Sequence, residues 1–413
     1  MRILHTSDWH LGQHFMGKSR QVEHQQLIDW LVQQVDVHAV DAVLIAGDIF
    51  DTGAPPSYAR ELYSQLVVRL HGAGVALLLL GGNHDSVSTL GESRALLACL
   101  STTVVSAASD PQAQVVVLPL RGGLKEPGCV VCAIPFIRPR DVQLSLPGQS
   151  AEDKQHSLQA AIQAHYTAVF DAAHLQRTAL EAQVGHKLPI IATGHLTTVG
   201  ASTSESVREI YVGSLNAFPT TAFPAVDYIA LGHIHQPQKV GGLNHIRYCG
   251  SPIALSFDEV RQNKEVLLVD LNASGLQAIT ALPVPRFQPL ASVSGNLVAL
   301  AEKIQAAALQ GTPECPVWLE VTVAEDDYLS DLPARIEAMT AGLPVEVLRI
   351  RRQRGNATAA LAATARETLD ELSPHDVFAR RLAQEELSDE LKTALQARYK
   401  RVVTALQDGE ELP

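Results

Sequence analysis

The sequence contains few cysteines, few aromatic residues and no long apolar segment. Its five cysteines are scattered along 413 residues, which argues against the disulfide framework of a small secreted domain and is typical of a reducing cytosol. The N-terminus becomes polar from His5 to Asp8, before the apolar region of a signal peptide could form, and no uninterrupted apolar run approaches the length of a membrane span. We therefore expect a cytoplasmic protein that makes no contact with a membrane.

The chain also lacks an excess of positive charge. Asp and Glu number 44 against 32 Lys and Arg, so the formal net charge is −12. The molecule as a whole repels polyanions, and contact with a nucleic acid would require local basic loops, bound cations or a partner. A hydrophobic fraction of 46% excludes a disordered or fibrous chain, and 413 residues exceed the usual size of one core, so at least two folded units are expected.

Short apolar runs that end in polar residues recur along the first 270 residues. Such runs predict buried strands, and the ends of strands are where α/β enzymes place catalytic groups. The predicted strands are Arg2 to Leu4, Ala42 to Ile45, Val75 to Leu80, Pro189 to Ala192 and Tyr228 to Leu231. Helical patterns lie between them at Gln21 to Val37, Tyr58 to His71 and about Ala151 to Gln183, the last with a capping box at Ser150 and Asp153.

The spacing of the apolar runs changes after His233. Closely spaced apolar runs at Ile246 to Cys249, Val266 to Leu271 and Leu276 to Leu282 predict a second, more antiparallel sheet. The expected core therefore has two sheets flanked by helices. A boundary is predicted at Pro283 to Pro285, because strand and helix patterns then alternate as in a small α/β domain.

Two features near the C-terminus allow more than one interpretation. Arg349, Arg351, Arg352 and Arg354 follow the last predicted strand, as either a solvated strand end or a patch that contacts phosphate. A predicted helix from Asp389 to Gln407 carries an apolar stripe, which either packs on its own domain or docks on a partner.

Seven oxygen and imidazole donors lie at the predicted strand ends. They are Asp8, His10, Asp48, Asn83, His195, His233 and His235. This set contains no thiolate. It is therefore typical of a hydrolytic site that binds Mn²⁺, Fe or Zn²⁺, and not of a structural zinc site with thiolate ligands. A carboxylate shared by two ions holds them roughly 3.5–4 Å apart, where they can activate a water and neutralise a phosphate. Each motif alone is weak, but their ordered conjunction favours a two-metal hydrolase.

The motifs D-x-H, G-D-x-x-D, G-N-H-D, G-H and G-H-x-H, in this order, resemble the calcineurin-like metallophosphoesterase superfamily. Longer strings resemble its SbcD family of bacterial nuclease subunits, counterparts of the eukaryotic double-strand-break repair nuclease, and the resemblance covers the whole chain. These strings are HTSDWHLG from His5, AGDIFDTG from Ala46, GGNHDS from Gly81, ATGHLTTVGA from Ala192, ALGHIHQ from Ala230 and YCGSPIALSFDE from Tyr248.

The resemblance implies an α/β fold with a four-layer α/β/β/α core of two sheets. It assigns residues 1–283 to the metallophosphoesterase nuclease domain, 284–352 to a small α/β capping domain, and 353–413 to a linker and C-terminal helices that bind a partner ATPase.

The resemblance also implies roles for individual residues. One metal ion would be held by Asp8, His10 and His235, the other by Asn83, His195 and His233, with Asp48 bridging them. The expected ions are two Mn²⁺, with Mg²⁺ or another divalent ion as the alternative.

Two catalytic residues are implied in addition to the ligands. His84 would contact the scissile phosphate and help to protonate the leaving oxygen, and Asp85 would orient His84. Archaeal and eukaryotic relatives have a histidine in place of Asp51, so Asp51 is not included among the catalytic residues.

The implied activity is that of a DNA nuclease in repair, replication and recombination. It would act as an exonuclease on double strands and an endonuclease on single strands and hairpins. The implied partners are DNA and the ATPase SbcC, in a heterotetramer of two nuclease and two ATPase subunits associated with the nucleoid. A homodimer is expected through helices at Tyr58 to Leu70 and Glu92 to Leu100.

Three other functions compete with this interpretation. A phosphatase or phosphodiesterase acting on a small phosphoester would use the same metal scaffold, but the long C-terminal segment argues against it. A scaffold without activity is disfavoured because every ligand position has a competent donor. The third competing function is that of an ATPase, because Gly12 to Ser19 match the phosphate-binding loop G-x-x-x-x-G-K-[ST]. That loop requires an apolar strand directly before its first glycine, whereas Asp8 to Leu11 precede it here.

Overall fold

The computed structural model describes residues 1–122, 126–142, 150–207, 210, 217–324 and 331–352, with the single positions 382, 392, 395, 398 and 399. The helices are α1 (Gln21–Val37), α2 (Ser57–Gly72), α3 (Val87–Gly91), α4 (Arg94–Cys99), α5 (Pro139–Val142), α6 (Ala151–Val184), α7 (Leu297–Ala308) and α8 (Leu332–Thr340). Short 3₁₀ turns lie at Pro111–Gln114, Thr220–Ala222 and Phe257–Glu259. Among the described residues, none of the helices combines the length and hydrophobicity needed to span a lipid bilayer.

The strands form three larger sheets and a small hairpin. In chain order the strands are β1 (Arg2–Thr6), β2 (His14–Phe15), β3 (Lys18–Ser19), β4 (Ala42–Ile45), β5 (Ala76–Leu80), β6 (Thr102–Val105), β7 (Val115–Pro119), β8 (Pro127–Cys132), β9 (Ile190–His195), β10 (Tyr228–Gly232), β11 (Gln238–Val240), β12 (Leu243–Tyr248), β13 (Glu265–Asn272), β14 (Gly275–Pro283), β15 (Leu290–Gly295), β16 (Val317–Val323) and β17 (Val345–Arg352).

The first sheet has the order β14-β13-β1-β4-β5-β6, and the second has the order β11-β12-β10-β9-β8-β7. In the first sheet β1, β4, β5 and β6 are parallel, and β13 and β14 are antiparallel additions at one edge. In the second sheet β12, β10, β9 and β8 are parallel, with antiparallel strands only at the two edges.

The prediction of a second, more antiparallel sheet after His233 was therefore partly wrong. Only β12 of the three closely spaced runs joins the second sheet, and it is parallel to β10. The hairpin of β13 and β14 extends the first sheet instead, with Leu268 of β13 opposite Leu4 of β1. The side chains of β13 alternate between two buried environments, so both faces of this strand require a neighbour and it adds to an existing core.

The two sheets pack face to face, and helices cover their outer faces. Along β4, Ala42 and Leu44 lie in the core between the sheets, whereas Val43 and Ile45 pack against α1 and α2. This two-residue alternation is the geometry of a strand buried on both faces. The helix α6 covers the second sheet, with Tyr166 among its buried side chains. The fold is thus the expected α/β/β/α arrangement of four layers.

Local sequence explains where the long helix begins. The Ser150 side chain accepts a hydrogen bond from the backbone N–H of Asp153, and Asp153 accepts one from the backbone N–H of Ser150. This reciprocal capping box satisfies two of the unpaired donors at a helix N-terminus, as predicted.

We call β15, β16, β17, α7 and α8 together the C-terminal unit. Its three strands are parallel in the order β15-β16-β17, and it has an apolar core of its own. An apolar cluster joins this unit to the two-sheet core, and we call it the interface cluster. It consists of Phe15, Ala254, Phe257, Val260, Leu290 and Trp318.

Candidate metal centre

The candidate site lies at the carboxyl ends of parallel strands from both larger sheets. Asp8 follows β1, Asp48 follows β4, Asn83 follows β5, and His195 and His233 come at the ends of β9 and β10. The loops after β1 and β4 are joined by backbone hydrogen bonds, including Asp8 N–H to the Gly47 carbonyl at 3.0 Å and His10 N–H to the Asp48 carbonyl at 3.1 Å. These bonds hold the donors of separate strands in one place.

The structure brings the seven predicted donors together. Among the described residues, potential ligand atoms lie within 4.8 Å of one another in three groups: Asp8, His10 and His235; His10, Asp48 and His84; and Asp48, His195 and His233. The Asn83 Oδ1 joins the last group, since it is 2.9 Å from His195 Nε2 and 3.0 Å from His233 Nδ1.

Asp48 lies between histidines of the first and third groups. Its Oδ2 is 3.6 Å from His10 Nε2 and 3.3 Å from His195 Nε2. Burial alone would raise the pKa of this carboxyl, but the adjacent imidazoles of His195 and His10 outweigh burial and hold it well below its usual range. Asp48 is therefore a buried carboxylate with acceptor capacity toward both sides.

The two histidines beside Asp48 respond in the opposite direction. Burial would lower the pKa of His195, but the Asp48 carboxylate raises it to about 9. The pKa of His10 is also raised, because a hydrogen bond with Asp51 and the charge of Asp48 outweigh burial. A site that concentrates this much negative potential on buried imidazoles favours a bound cation or proton.

Two imidazole nitrogens of the site lack a hydrogen-bond partner. The Nε2 atoms of His10 and His233 are buried and form no hydrogen bond with any described residue. A buried polar atom without a partner is costly, and a neutral imidazole nitrogen that faces other donor groups can bind a metal ion. The donor set and these orphaned nitrogens both fit a pair of divalent cations.

The backbone at the site adopts conformations that are rare for residues with a side chain. Asp8, His10, Asp48 and His233 have positive φ angles of 56°, 48°, 52° and 92°. Two glycines permit close approaches: a Cβ at Gly82 would lie 2.1 Å from Asp48 Oδ1, and one at Gly232 would lie 1.9 Å from the Ala46 carbonyl oxygen. The glycines of the G-N-H-D and G-H-x-H motifs are thus steric requirements of the site.

His84 lies at the edge of the cluster. Its ring centroid is 4.6 Å from that of His10, and its backbone N–H donates to Asp48 Oδ1 at 2.9 Å. The Nδ1 of His84 is 2.8 Å from the backbone carbonyl oxygen of Asp51, so this nitrogen donates and the ring is held on its Nδ1 side.

The bonds of Asp85 differ from the expectation that it orients His84. The Asp85 carboxylate accepts backbone N–H groups of Ile49 at 3.1 Å, Phe50 at 2.9 Å and Gly82 at 2.8 Å. These bonds tie the loop after β4 to the loop after β5. Burial and the Asp48 charge raise the pKa of Asp85 to about 6. In the described contacts, Asp85 therefore stabilises the position of these two loops.

Three residues outside the predicted set of site residues contact histidines of the cluster: Asp51, which the sequence analysis set aside, and Ser206 and Glu259, which it did not single out. Asp51 Oδ1 lies 3.1 Å from His10 Nδ1, and Ser206 Oγ and Glu259 Oε1 lie 2.6 Å and 3.3 Å from His235 Nδ1. Asp51 carried a signal, the second aspartate of G-D-x-x-D. Glu259 ends the string that begins at Tyr248, but Ser206 belongs to no motif.

The comparisons with known proteins agree with this geometry. Residues 1–237 match the model for calcineurin-like phosphoesterases, and residues 286–386 match the SbcD_C model, described as the type 5 capsule protein repressor C-terminal domain. The chain is 50% identical over 398 residues to the SbcD subunit of the SbcCD nuclease of Escherichia coli K12, which covers 96% of each chain.

The chain belongs to the SbcD family of calcineurin-like phosphoesterases. The corresponding SbcCD nuclease subunit of Rhodobacter capsulatus is 32% identical over 393 residues, with 92% of this chain and 94% of the relative covered. Membership of this family implies divalent metal ions, in agreement with the ligand clusters.

In this SbcD family member the segment that resembles a phosphate-binding loop is a β-hairpin. β2 and β3 pair with each other, and Phe15 packs between Phe257 and Trp318. Lys18 forms an ion pair with Glu346 of the C-terminal unit. The hairpin therefore connects two parts of the molecule, which agrees with the interpretation that it is not a nucleotide site.

Two predictions concern interactions with other subunits. The striped helix from Asp389 to Gln407 lies outside the described residues except at positions 392, 395, 398 and 399. The helices expected at a dimer interface are present as α2 and α4. Their role in dimerisation stays a prediction.

Proposed function

We propose that the chain is the nuclease subunit of an SbcCD complex and hydrolyses phosphodiester bonds of DNA with two divalent ions. The observation that carries this proposal is the convergence of donor side chains from two sheets. Three overlapping groups within 4.8 Å contain six of the seven donors together with His84, and the seventh, Asn83, has its Oδ1 2.9 Å from His195 Nε2. Relatives that match almost the whole chain are named as the SbcD subunit of this nuclease.

Each donor has a proposed role. One ion is held by Asp8, His10 and His235, the other by Asn83, His195 and His233, and Asp48 serves both. We propose Mn²⁺ for both positions, with Mg²⁺ or another divalent ion able to replace it. When bound, the ions supply an activated water and neutralise charge on the phosphate.

The chain's own residues orient the reacting groups. His84 contacts the scissile phosphate and gives a proton to the leaving oxygen through Nε2, since its Nδ1 is fixed by the Asp51 carbonyl. Asp85 supports His84 indirectly, through the loops that its carboxylate joins. Asp51 is a positioning residue for both His10 and His84.

The proposed substrates and partners follow the family. We propose exonuclease action on double-stranded DNA and endonuclease action on single strands and hairpins, in repair, replication and recombination. The partner is the ATPase SbcC, in a heterotetramer with a homodimer of this chain, in the cytoplasm at the nucleoid. Residues 1–283 form the nuclease domain, 284–352 the capping domain and 353–413 the segment that binds SbcC.

The first test measures activity on a hairpin DNA and on a small phosphomonoester, each with Mn²⁺, Mg²⁺ or chelator and with or without SbcC. Cleavage of the hairpin that requires a divalent ion supports the proposal. Hydrolysis confined to the small ester would favour a phosphatase.

Two substitutions separate chemistry from metal binding. His84→Ala is expected to lower the cleavage rate by about 10²–10⁴-fold, the usual contribution of a general acid, while two ions remain bound. Asp48→Ala is expected to abolish cleavage and to reduce the number of bound ions, because this carboxylate lies beside a histidine of each proposed ion site. Single-turnover cleavage and equilibrium dialysis measure the two effects. His186→Ala, at an exposed histidine, is the control. Normal cleavage by either site variant would refute the assignment.

A further inference from the structure

One imidazole of the site is held by side chains outside the ligand set. His235 Nδ1 lies 2.6 Å from Ser206 Oγ and 3.3 Å from Glu259 Oε1. Because these contacts occupy Nδ1, Nε2 is the nitrogen left for a metal ion. A hydrogen bond to the second nitrogen fixes the orientation and tautomer of a ligating histidine and raises its basicity.

Glu259 is itself held rigidly. It is fully buried, and its Oε2 receives hydrogen bonds from Lys264 Nζ at 2.7 Å and from the Leu255 backbone N–H at 3.0 Å. Ser204 Oγ donates to its Oε1 at 2.8 Å, and Ser206 Oγ forms a further bond to the same oxygen. Lys264 also donates to the backbone carbonyl of His235 at 2.9 Å, which closes the network on the metal-site loop.

The segment that supplies Ser206 also contacts the C-terminal unit. The carboxylate of Glu205 lies 4.0 Å from Arg349 Nη2 and 3.7 Å from Arg351 Nη1, both on β17. The acidic partners of these two arginines favour an ion-paired strand end over a free phosphate-binding patch. Glu205 and Ser206 are adjacent, so one residue faces the C-terminal unit and the next contacts the metal-site histidine.

The turn that supplies Glu259 has the same arrangement. Phe257, at the start of the turn Phe257–Glu259, packs in the interface cluster against Phe15 at 4.9 Å between ring centroids. The Arg349 guanidinium lies 5.4 Å from the centre of the Phe257 ring. Asp258 of this turn accepts the backbone N–H of Glu205 at 2.8 Å, which couples the two segments to each other.

We propose that Ser206 and Glu259 are positioning residues for His235, and that the C-terminal unit controls the metal affinity of the Asp8, His10 and His235 site through them. The inference rests on the proposed two-metal function. Two short segments each contact the C-terminal unit with one residue and the His235 network with another. A shift of that unit therefore moves the groups that orient the His235 imidazole. The contacts described for the second ion site, around His195 and His233, include none with the C-terminal unit.

The positioning role is tested by titrating Mn²⁺ into the metal-free full chain by calorimetry, with the electron paramagnetic resonance spectrum of Mn²⁺ as a second measure. Ser206→Ala is expected to weaken one of the two sites by about 10–100-fold, as for other partners of ligating histidines, and to leave the other unchanged. Ser206→Thr keeps the hydroxyl and is expected to restore the affinity. Ser64→Ala is the matched control, because Ser64 is exposed and the hydrogen bond described for its hydroxyl is to the Arg60 carbonyl within α2.

The coupling to the C-terminal unit is tested in the same titration with Glu205→Gln. Loss of the charge that faces Arg349 and Arg351 is expected to weaken the same site by about 2–30-fold, the range of energetic coupling through packed networks. Glu302→Gln, at an exposed carboxylate on α7, is the control.

Three results would overturn parts of this inference. Wild-type affinity at both sites in Ser206→Ala would refute the positioning role. Weakening by Ser206→Ala with no effect of Glu205→Gln would refute control by the C-terminal unit. Neither result touches the proposed nuclease function, whereas a wild-type chain that binds no Mn²⁺ would overturn that function and this inference together.

Discussion

At the scale of single residues, the site concentrates conformations that are unfavourable by themselves. Asp8, His10, Asp48 and His233 all have positive φ angles, each of which costs on the order of 1–3 kcal/mol for such a residue. The bonds between the loops after β1 and β4 offset this cost, as in the bond from Trp9 N–H to the Asp48 carbonyl at 2.9 Å. The donors are therefore preorganised before an ion arrives, and changes to their supports should affect metal binding first.

Gly82 provides a test of this preorganisation. In Gly82→Ala the new methyl group would lie 2.1 Å from Asp48 Oδ1, so the loop after β5 must move. We expect a destabilisation of about 1–3 kcal/mol, as for other overpacked positions, with loss of bound metal. Chemical denaturation and equilibrium dialysis measure these effects. Gly72→Ala is the control, since outside its own helix turn no described atom lies within 4 Å of its new methyl group. Full metal binding by Gly82→Ala would show that the site tolerates displacement of Asp48.

The residues of the site differ in how well sequence alone could predict them. The seven donors follow apolar runs within short motifs, so their convergence could be predicted from strand ends. Ser206 and Glu259 lie 29 and 24 residues from His235 along the chain, and only tertiary packing brings them to its Nδ1. Asp85, in contrast, lies in an evident motif, but its role could not be predicted. Its bonds to backbone N–H groups depend on where two loops meet.

At the scale of elements, periodicity predicts which segments are helices and strands better than it predicts their neighbours. The predicted bounds of α1 and β4 agree with the structure at both ends, since each has a regular apolar pattern. The hairpin of β13 and β14 was expected in the second sheet but extends the first. Local spacing determines that the two strands pair, whereas the choice of sheet depends on which edge is free.

The helix α6 provides a test of the layer arrangement. Ile162 is 1% exposed against the second sheet, whereas Leu175 of the same helix is 71% exposed. We expect Ile162→Ala to reduce the free energy of unfolding by about 2–5 kcal/mol through a cavity. Leu175→Ala should change it by less than about 0.5 kcal/mol. Urea denaturation compares them, and equal effects would contradict the packing of α6 against the second sheet.

At the scale of the whole molecule, the site exists only where the two sheets meet. The first sheet supplies Asp8, Asp48 and Asn83, and the second supplies His195, His233 and His235. A molecule with a net charge of −12 also needs a local source of positive potential to bind a polyanion. Two bound divalent ions would supply it at the site itself.

DNA binding should therefore depend on metal. The His84→Ala variant, which is expected to keep its ions without cleaving, allows binding to be measured by fluorescence anisotropy of a labelled hairpin. We expect a higher affinity with Mn²⁺ than with chelator, because the ions offset the repulsion between the acidic chain and the phosphates. Replacing Mn²⁺ with the same ionic strength of NaCl is the control. Equal affinities in all three conditions would show that binding relies on protein groups alone.

The most direct test of the central claim is anomalous diffraction at the manganese edge from crystals of the full chain soaked in Mn²⁺. We predict two peaks roughly 3.5–4 Å apart, the usual separation in two-metal sites. One should lie among Asp8, His10 and His235, the other among Asn83, His195 and His233, with Asp48 between them. An absence of peaks at these residues, with the chain folded and Mn²⁺ in excess, would contradict the account.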